Sequence, residues 1–248
     1  MFTLDERQRV QDRLIAAGRD DDRIVSGALT GSAALDGEDR WSDIDLALSV
    51  SAEADRSAVI AGWTERMYSE HGAIEQLDVI ACSALYRVFL LPNLLQVDLS
   101  FWPEAEFGAT GPKFRLLFGT ATQRQETPPP AAAELAGFAW LYAVHARRCI
   151  GRERWWQAEL MISDARNQVL ALACLRHGLP TAQGRGMDDL PLETTERAEE
   201  AIVRSLEPAE LDRALAALVD VLLLEIRWAD SAMADRLASP LGQLPRDR

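Results

Sequence analysis

Apolar residues recur at two different periods along this chain, and the period changes near residue 128. Residues 3–18 repeat them at helical spacing, with Leu4, Val10, Leu14 and Ile15 on one side, before a polar turn at 20–23. Two short apolar runs of strand length follow, 24–29 and 44–50. Residues 52–70 return to helical spacing through Val59, Ile60, Trp63 and Met67, and His71-Gly72 ends that helix. Three further runs, 76–81, 86–91 and 94–102, read as strands, the last two separated by the turn signal Pro92-Asn93. Residues 103–126 read as irregular around a short apolar piece at 114–118, with Lys113 a solvated loop residue. Pro128-Pro129-Pro130 marks a boundary, because consecutive prolines allow only extended chain or a first helical turn. Beyond it the pattern predicts helices at 131–150, 154–177, 192–205 and 209–237. The expected class is α+β: a mixed sheet with flanking helices in residues 1–127, then a helical bundle in 128–248.

The chemistry concentrates where the first two strands meet. Gly31-Ser32 follows the first run, and ten residues separate Ser32 from Asp43-Ile44-Asp45-Leu46. Strand alternation sends Asp43 and Asp45 to one face and Ile44, Leu46 and Leu48 to the other. Two adjacent carboxylates repel unless a cation sits between them, and oxygen ligands suit Mg²⁺. Gly31 and Ser32 allow close backbone approach and offer N–H groups to a phosphate. A third carboxylate, Asp98, lies on an apolar strand where Val97, Leu99 and Phe101 alternate with Asp98 and Ser100. By contrast, Asp20-Asp21-Asp22 is a solvated turn.

Gly31-Ser32, the ten-residue gap, Asp43-x-Asp45 and the strand residue Asp98 together resemble the DNA polymerase β-like nucleotidyltransferase superfamily. Within it the likeness is to the aminoglycoside and lincosamide nucleotidyltransferases. The resemblance implies that Asp43 and Asp45 hold two Mg²⁺ ions, that Asp98 completes one of them, and that Gly31 and Ser32 contact the triphosphate of ATP or another nucleoside triphosphate. It also implies a catalytic domain at 1–127 and an acceptor-binding helical bundle at 128–248. Relatives often carry an arginine just after the Gly-Ser pair. This chain has Leu35-Asp36-Gly37 there, so that phosphate contact is either missing or supplied by Arg40. In the family a carboxylate of the helical domain takes the proton from the acceptor hydroxyl, and Glu159 is the candidate here, with Glu153 and Asp164 behind it. Glu159, Ile162 and Arg166 share a helix face expected to border the cleft, so an ion pair within the bundle is the alternative reading of Glu159. Trp156, Leu160, Val169 and Leu172 are expected in the core, and Trp140, Tyr142, Trp155, Trp156 and Trp228 in bundle packing.

Composition narrows the partners. The chain has 248 residues and a net charge of −13. Residues 1–126 carry 12 basic and 21 acidic residues, against 14 and 18 in the remainder. The basic clusters Arg147-Arg148 and Arg152/Arg154 are too short for a nucleic-acid track, and an acidic cleft suits a cationic small acceptor. Cys82, Cys149 and Cys174 have no paired spacing and read as buried reduced thiols, which points to the cytoplasm. No signal-peptide pattern opens the chain, no apolar run reaches membrane-spanning length, and a homodimer is allowed. The activity expected from these features is transfer of a nucleoside monophosphate, AMP foremost, to a hydroxyl of a small molecule such as an aminoglycoside or lincosamide. The alternative is an antitoxin-like nucleotidyltransferase joined to a helical RNase-type (HEPN) domain, acting on a protein or RNA. It is weaker: such domains carry an arginine four to six residues before a histidine, and neither His145 nor His177 has one. Arg66 and His71 match that spacing only within the helix of the first half. A nucleotide-binding regulator without turnover is the third reading.

Overall fold

The computed structural model describes residues 1–35, 37, 39–81, 83–109, 111–124 and 128–244. The chain forms two compact units, Met1–Thr127 and Pro128–Arg248.

The first unit opens with α1 (Leu4–Asp20), started by a capping box in which Thr3 and Glu6 satisfy each other's amides. Then come β1 (Ile24–Thr30), a 3₁₀ turn (Gly31–Leu35), β2 (Ile44–Val50) and α2 (Arg56–His71). Strands β3 (Glu75–Ala81), β4 (Ala84–Leu90) and β5 (Gln96–Pro103) follow, with β6 (Gly108–Ala109), β7 (Phe114–Phe118) and β8 (Thr122–Gln123) after them. Six strands form one mixed sheet in the order β3-β4-β5-β2-β1-β7, in which β2 and β5 run parallel and the other neighbours antiparallel. The stretch expected to be irregular thus contains an edge strand, β7, laid against β1. Its sequence, FRLLF, has no alternation to announce it. Pairing with β1 makes it a strand, and the Ser26 hydroxyl secures the chain just beyond by donating to the Thr120 carbonyl and accepting from its amide (2.8 and 2.9 Å).

One face of the sheet is covered by α1 and α2. Ile44, Leu46, Leu48, Val97, Leu99 and Phe101 meet Leu14, Val59, Trp63 and Met67 there, all of them buried. Gly72, in the left-handed region (φ 67°), closes α2 by donating to the Met67 carbonyl. The alternation in β2 and β5 leaves the other face for the polar residues.

The second unit is helical: α3 (Ala132–Gly151), α4 (Trp155–Arg176), α5 (Leu192–Glu199), α6 (Pro208–Ala229) and α7 (Ser231–Gly242). Its core joins Leu135, Ala139, Ala143 and Ala146 of α3 to Ala158, Ile162, Ala165 and Val169 of α4 and to Leu211, Leu215, Leu218 and Leu222 of α6. The alanines let neighbouring helix axes approach closely. Three expectations are corrected. The third helix ends at Glu199 and not at 205. The last helix divides at Asp230, whose carboxylate accepts from the Met233 amide and caps a new helix. Trp156 and Leu160, expected in the core, are 77% and 51% exposed, and Trp228 is exposed as well. The buried stripe of α4 runs through Ala158 and Ile162, and a residue two positions away lies about 200° around the helix. Trp140, Tyr142 and Trp155 do pack on the core. Cys149 and Cys174 are free and buried, while Cys82 lies outside the described residues. No described helix is long and apolar enough to cross a membrane.

Candidate active site

Parallel pairing of β2 with β5 sets Asp45 directly opposite Asp98. Asp43, immediately before β2, completes the group: ligand oxygens of Asp43, Asp45 and Asp98 all lie within 4.8 Å of one another, and all three residues are half-buried. Among the described residues this is the one cluster of its kind.

Gly31 is required by one of these carboxylates, Asp45. Its φ of +66° favours glycine, and a Cβ built on it would overlap Asp45 Oδ2. The Asp45 carboxylate therefore rests against the backbone where the 3₁₀ turn begins, and Ser32 is the next residue of that turn. Glycine at 31 thus serves close approach of a phosphate and also clears the side chain of Asp45.

Burial pushes the Asp98 carboxyl above its ordinary value. The Gln96 amide, donating to Asp98 Oδ1 at 2.9 Å, pulls it partly back, and the neighbouring charge of Asp43 pushes it up again. Three half-buried carboxylates this close to one another repel. They are well suited to a hard divalent cation, which needs an all-oxygen ligand set and lowers the repulsion on binding.

The residue that sequence reasoning missed is Arg7. It is only 2% exposed, and its guanidinium donates from Nε to the carbonyls of Ser42 (3.0 Å) and Asp43 (3.1 Å) and from Nη2 to Asp43 (2.9 Å) and Gln11 Oε1 (3.3 Å). It is a positioning residue, fixing the main chain at the point where Asp43 leaves the loop. The sequence carried only the spacing, which puts Arg7, Gln11 and Leu14 on one helical stripe; the structure buries all three. On the other side of Asp43 the loop is held by Asp39, whose carboxylate accepts from the Trp41 amide (2.8 Å) and the Ser42 hydroxyl (3.0 Å). Those bonds hold the Asp39 carboxyl below its ordinary value, the Trp41 amide most of all.

Arg40 is exposed and lies over the Trp41 ring, 4.2 Å from its centroid. Asp36, part of the departure from the family pattern, is outside the described residues. Glu159 belongs to the helical unit. There it accepts from the Ser163 hydroxyl (2.7 Å), which in turn accepts from Arg166 Nη2 (3.3 Å). Glu153 is exposed with a positive φ, and Asp164 is half-buried.

No family model matches the chain, and no curated protein matches it. Solved structures do. An aminoglycoside 6-adenyltransferase from Bacillus subtilis is 12% identical, aligned over 97% of this chain and 99% of its own, with a TM-score of 0.42. A nucleotidyltransferase-like protein from Exiguobacterium sibiricum 255-15 is 14% identical over 99% of this chain and 81% of its own, with a TM-score of 0.36.

Proposed function

We propose that this protein is a Mg²⁺-dependent nucleotidyltransferase that moves a nucleoside monophosphate, AMP foremost, from a nucleoside triphosphate to a hydroxyl of a small molecule and releases pyrophosphate. The observation that carries the reading is the meeting of Asp43, Asp45 and Asp98 within 4.8 Å, with the Asp45 carboxylate against Gly31. Carboxylate oxygens beside a backbone that only glycine permits support a divalent cation next to a phosphate. Asp43 and Asp45 would hold both metal ions and Asp98 one of them. When bound, such ions polarise the α-phosphate and stabilise the charge on the departing pyrophosphate.

The chain's own residues supply the rest. Gly31 and Ser32 receive the triphosphate, with Arg40 as a further phosphate contact. Arg7 keeps Asp43 in place through the backbone. The carboxylates of the sheet are committed to metal, so the proton of the acceptor hydroxyl goes to another carboxylate, and Glu159 is the candidate. The acidity of the first half, 21 acidic against 12 basic residues, favours a cationic acceptor such as an aminoglycoside, with a lincosamide as the second class to try.

The test is incubation with Mg²⁺, labelled ATP and a panel of aminoglycosides and lincosamides. The expected result is a mass gain of one nucleotide on a compound of the panel, with release of pyrophosphate and loss of both on chelation. Label appearing on a protein or RNA instead would favour the antitoxin-like alternative. Label on nothing, with nucleotide still bound, would favour the regulator.

A further inference from the structure

The sheet face that carries Asp45 and Asp98 continues past the carboxylates. One step along the same face, Ala47 of β2 is paired with Ser100 of β5 just as Asp45 is paired with Asp98. Two residues of strand span about 7 Å. Over Ala47 and Ser100 lies a cavity of about 170 Å³. Its floor is made of small side chains, and its walls are aromatic. Tyr86 and Trp102 meet edge-to-face with centroids 6.0 Å apart, and Phe107 and Phe114 do the same at 5.6 Å. Lys113, the only lysine of the chain, stands exposed at the rim. The Arg124 guanidinium lies over the Trp102 ring, 4.6 Å from its centroid. Among the described residues no carboxylate lines this cavity.

These features select a ligand. A cavity of about 150 Å³ is known to hold a benzene ring, so this one takes a single flat ring system and is too small for a sugar chain. Aromatic walls favour a planar π-face. A cationic rim in a protein of net charge −13 disfavours a cationic acceptor and favours an uncharged ring with lone pairs on its edge. The carboxylates lie one strand step away, a span that a ribose bridges between a base and its α-phosphate. We propose that this cavity receives the nucleobase of the triphosphate, with Tyr86 and Trp102 against the ring and Lys113 donating to an acceptor on its edge. The proposal rests on the nucleotidyl-transfer reading above and gives it a site for base selection.

The experiment compares the parent with Ala47→Leu, which fills the floor, and with Tyr86→Leu and Lys113→Gln, which change the wall and rim. For ATP, GTP, CTP and UTP it measures KM and kcat in the transfer assay and, separately, the rise in melting temperature with Mg²⁺ present. Ala47→Leu and Tyr86→Leu are expected to raise the KM of the preferred nucleotide by about tenfold or more with kcat little changed. Lys113→Gln is expected to narrow the differences among the four bases. If Ala47→Leu fails to fold, the other two variants decide. Unchanged nucleotide KM and unchanged base preference in folded variants would overturn the proposal and leave the transfer reading standing. A rise confined to the acceptor's KM would also overturn it, by assigning the cavity to the acceptor. If the parent transfers nothing, a base-dependent thermal shift that Tyr86→Leu abolishes would uphold the cavity and remove the transfer reading. The absence of any base-dependent shift would remove both.

Discussion

The two units differ in one group of carboxylates. In the helical unit, carboxylates are matched with cations: Glu225, buried, takes two bonds from Arg176 (2.9 and 2.7 Å). Glu210 takes two from Arg213 (2.8 and 2.7 Å), which also donates to the Glu200 and Ile202 carbonyls. The sheet unit also pairs Asp21 with Arg23 and Asp78 with Arg87, but it gathers Asp43, Asp45 and Asp98 together near the starts of two central strands. Beside them the buried Arg7 donates to the main chain of Ser42 and Asp43. Charges paired with partners hold a fold together. Like charges brought together weaken it, and such a group persists where a ligand relieves the repulsion. The difference separates the acidic residues that build this protein from those that would act.

The sharpest way to break the comparison is in the triad. Asp43→Asn, Asp45→Asn and Asp98→Asn should each lower transfer by at least about a hundredfold. Each should also melt at or above the parental temperature in EDTA, since one repulsive charge is gone. Mg²⁺ with nucleotide should then stabilise the parent much more than the variants. Near-parental turnover would place the metal elsewhere.

Glu159 tests the boundary between the two kinds of charge. It is linked through Ser163 to Arg166, yet is proposed as a base. As a base, Glu159→Gln should cost on the order of 10²–10⁴ in kcat with nucleotide affinity and melting temperature near parental. As a member of the Ser163–Arg166 network only, it should lose melting temperature while keeping its turnover when cold.

In the helical unit, Glu225→Gln leaves Arg176 without its buried partner and should cost about 3 kcal/mol in denaturant unfolding. A double change to Glu225→Leu and Arg176→Met should recover most of that loss. Arg7→Met should cost about 1–3 kcal/mol, the price of carbonyls left without a donor. It should also weaken Mg²⁺ binding, with Arg7→Lys between it and the parent. A stability loss with unchanged metal affinity would reduce Arg7 to a structural residue.

The smallest effect is a pH dependence. Bonds from the Arg213 side chain, and then from the Arg204 amide, hold Glu210 down from 4.5 to about 2. A depressed carboxyl contributes stability above its unfolded value and loses it as pH falls toward its folded one. Glu210→Gln should therefore be less stable than the parent at neutral pH, and the gap should close between about 4.5 and about 2. A gap constant through that window would mean that the bonds to Arg213 and Arg204 do not depend on the charge.

What the sequence determined by itself was local. Alternation in β2 and β5 decided that Asp45 and Asp98 lie opposite the oily side of their strands, because successive strand residues face opposite ways wherever the strand is placed. Glycine at 31, helical spacing in α2 and the proline run were legible for the same reason, each being dictated by the backbone of a few residues. The tertiary structure alone decided partners. It set β2 beside β5 in the register that faces Asp45 with Asp98, and it made FRLLF a strand by giving it β1 as a neighbour. It also buried Arg7 where the spacing suggested only an amphipathic helix, and it turned Trp156 outward by running the stripe of α4 through Ala158. Pairing and burial depend on segments far apart in the chain, whose meeting no short stretch of sequence specifies.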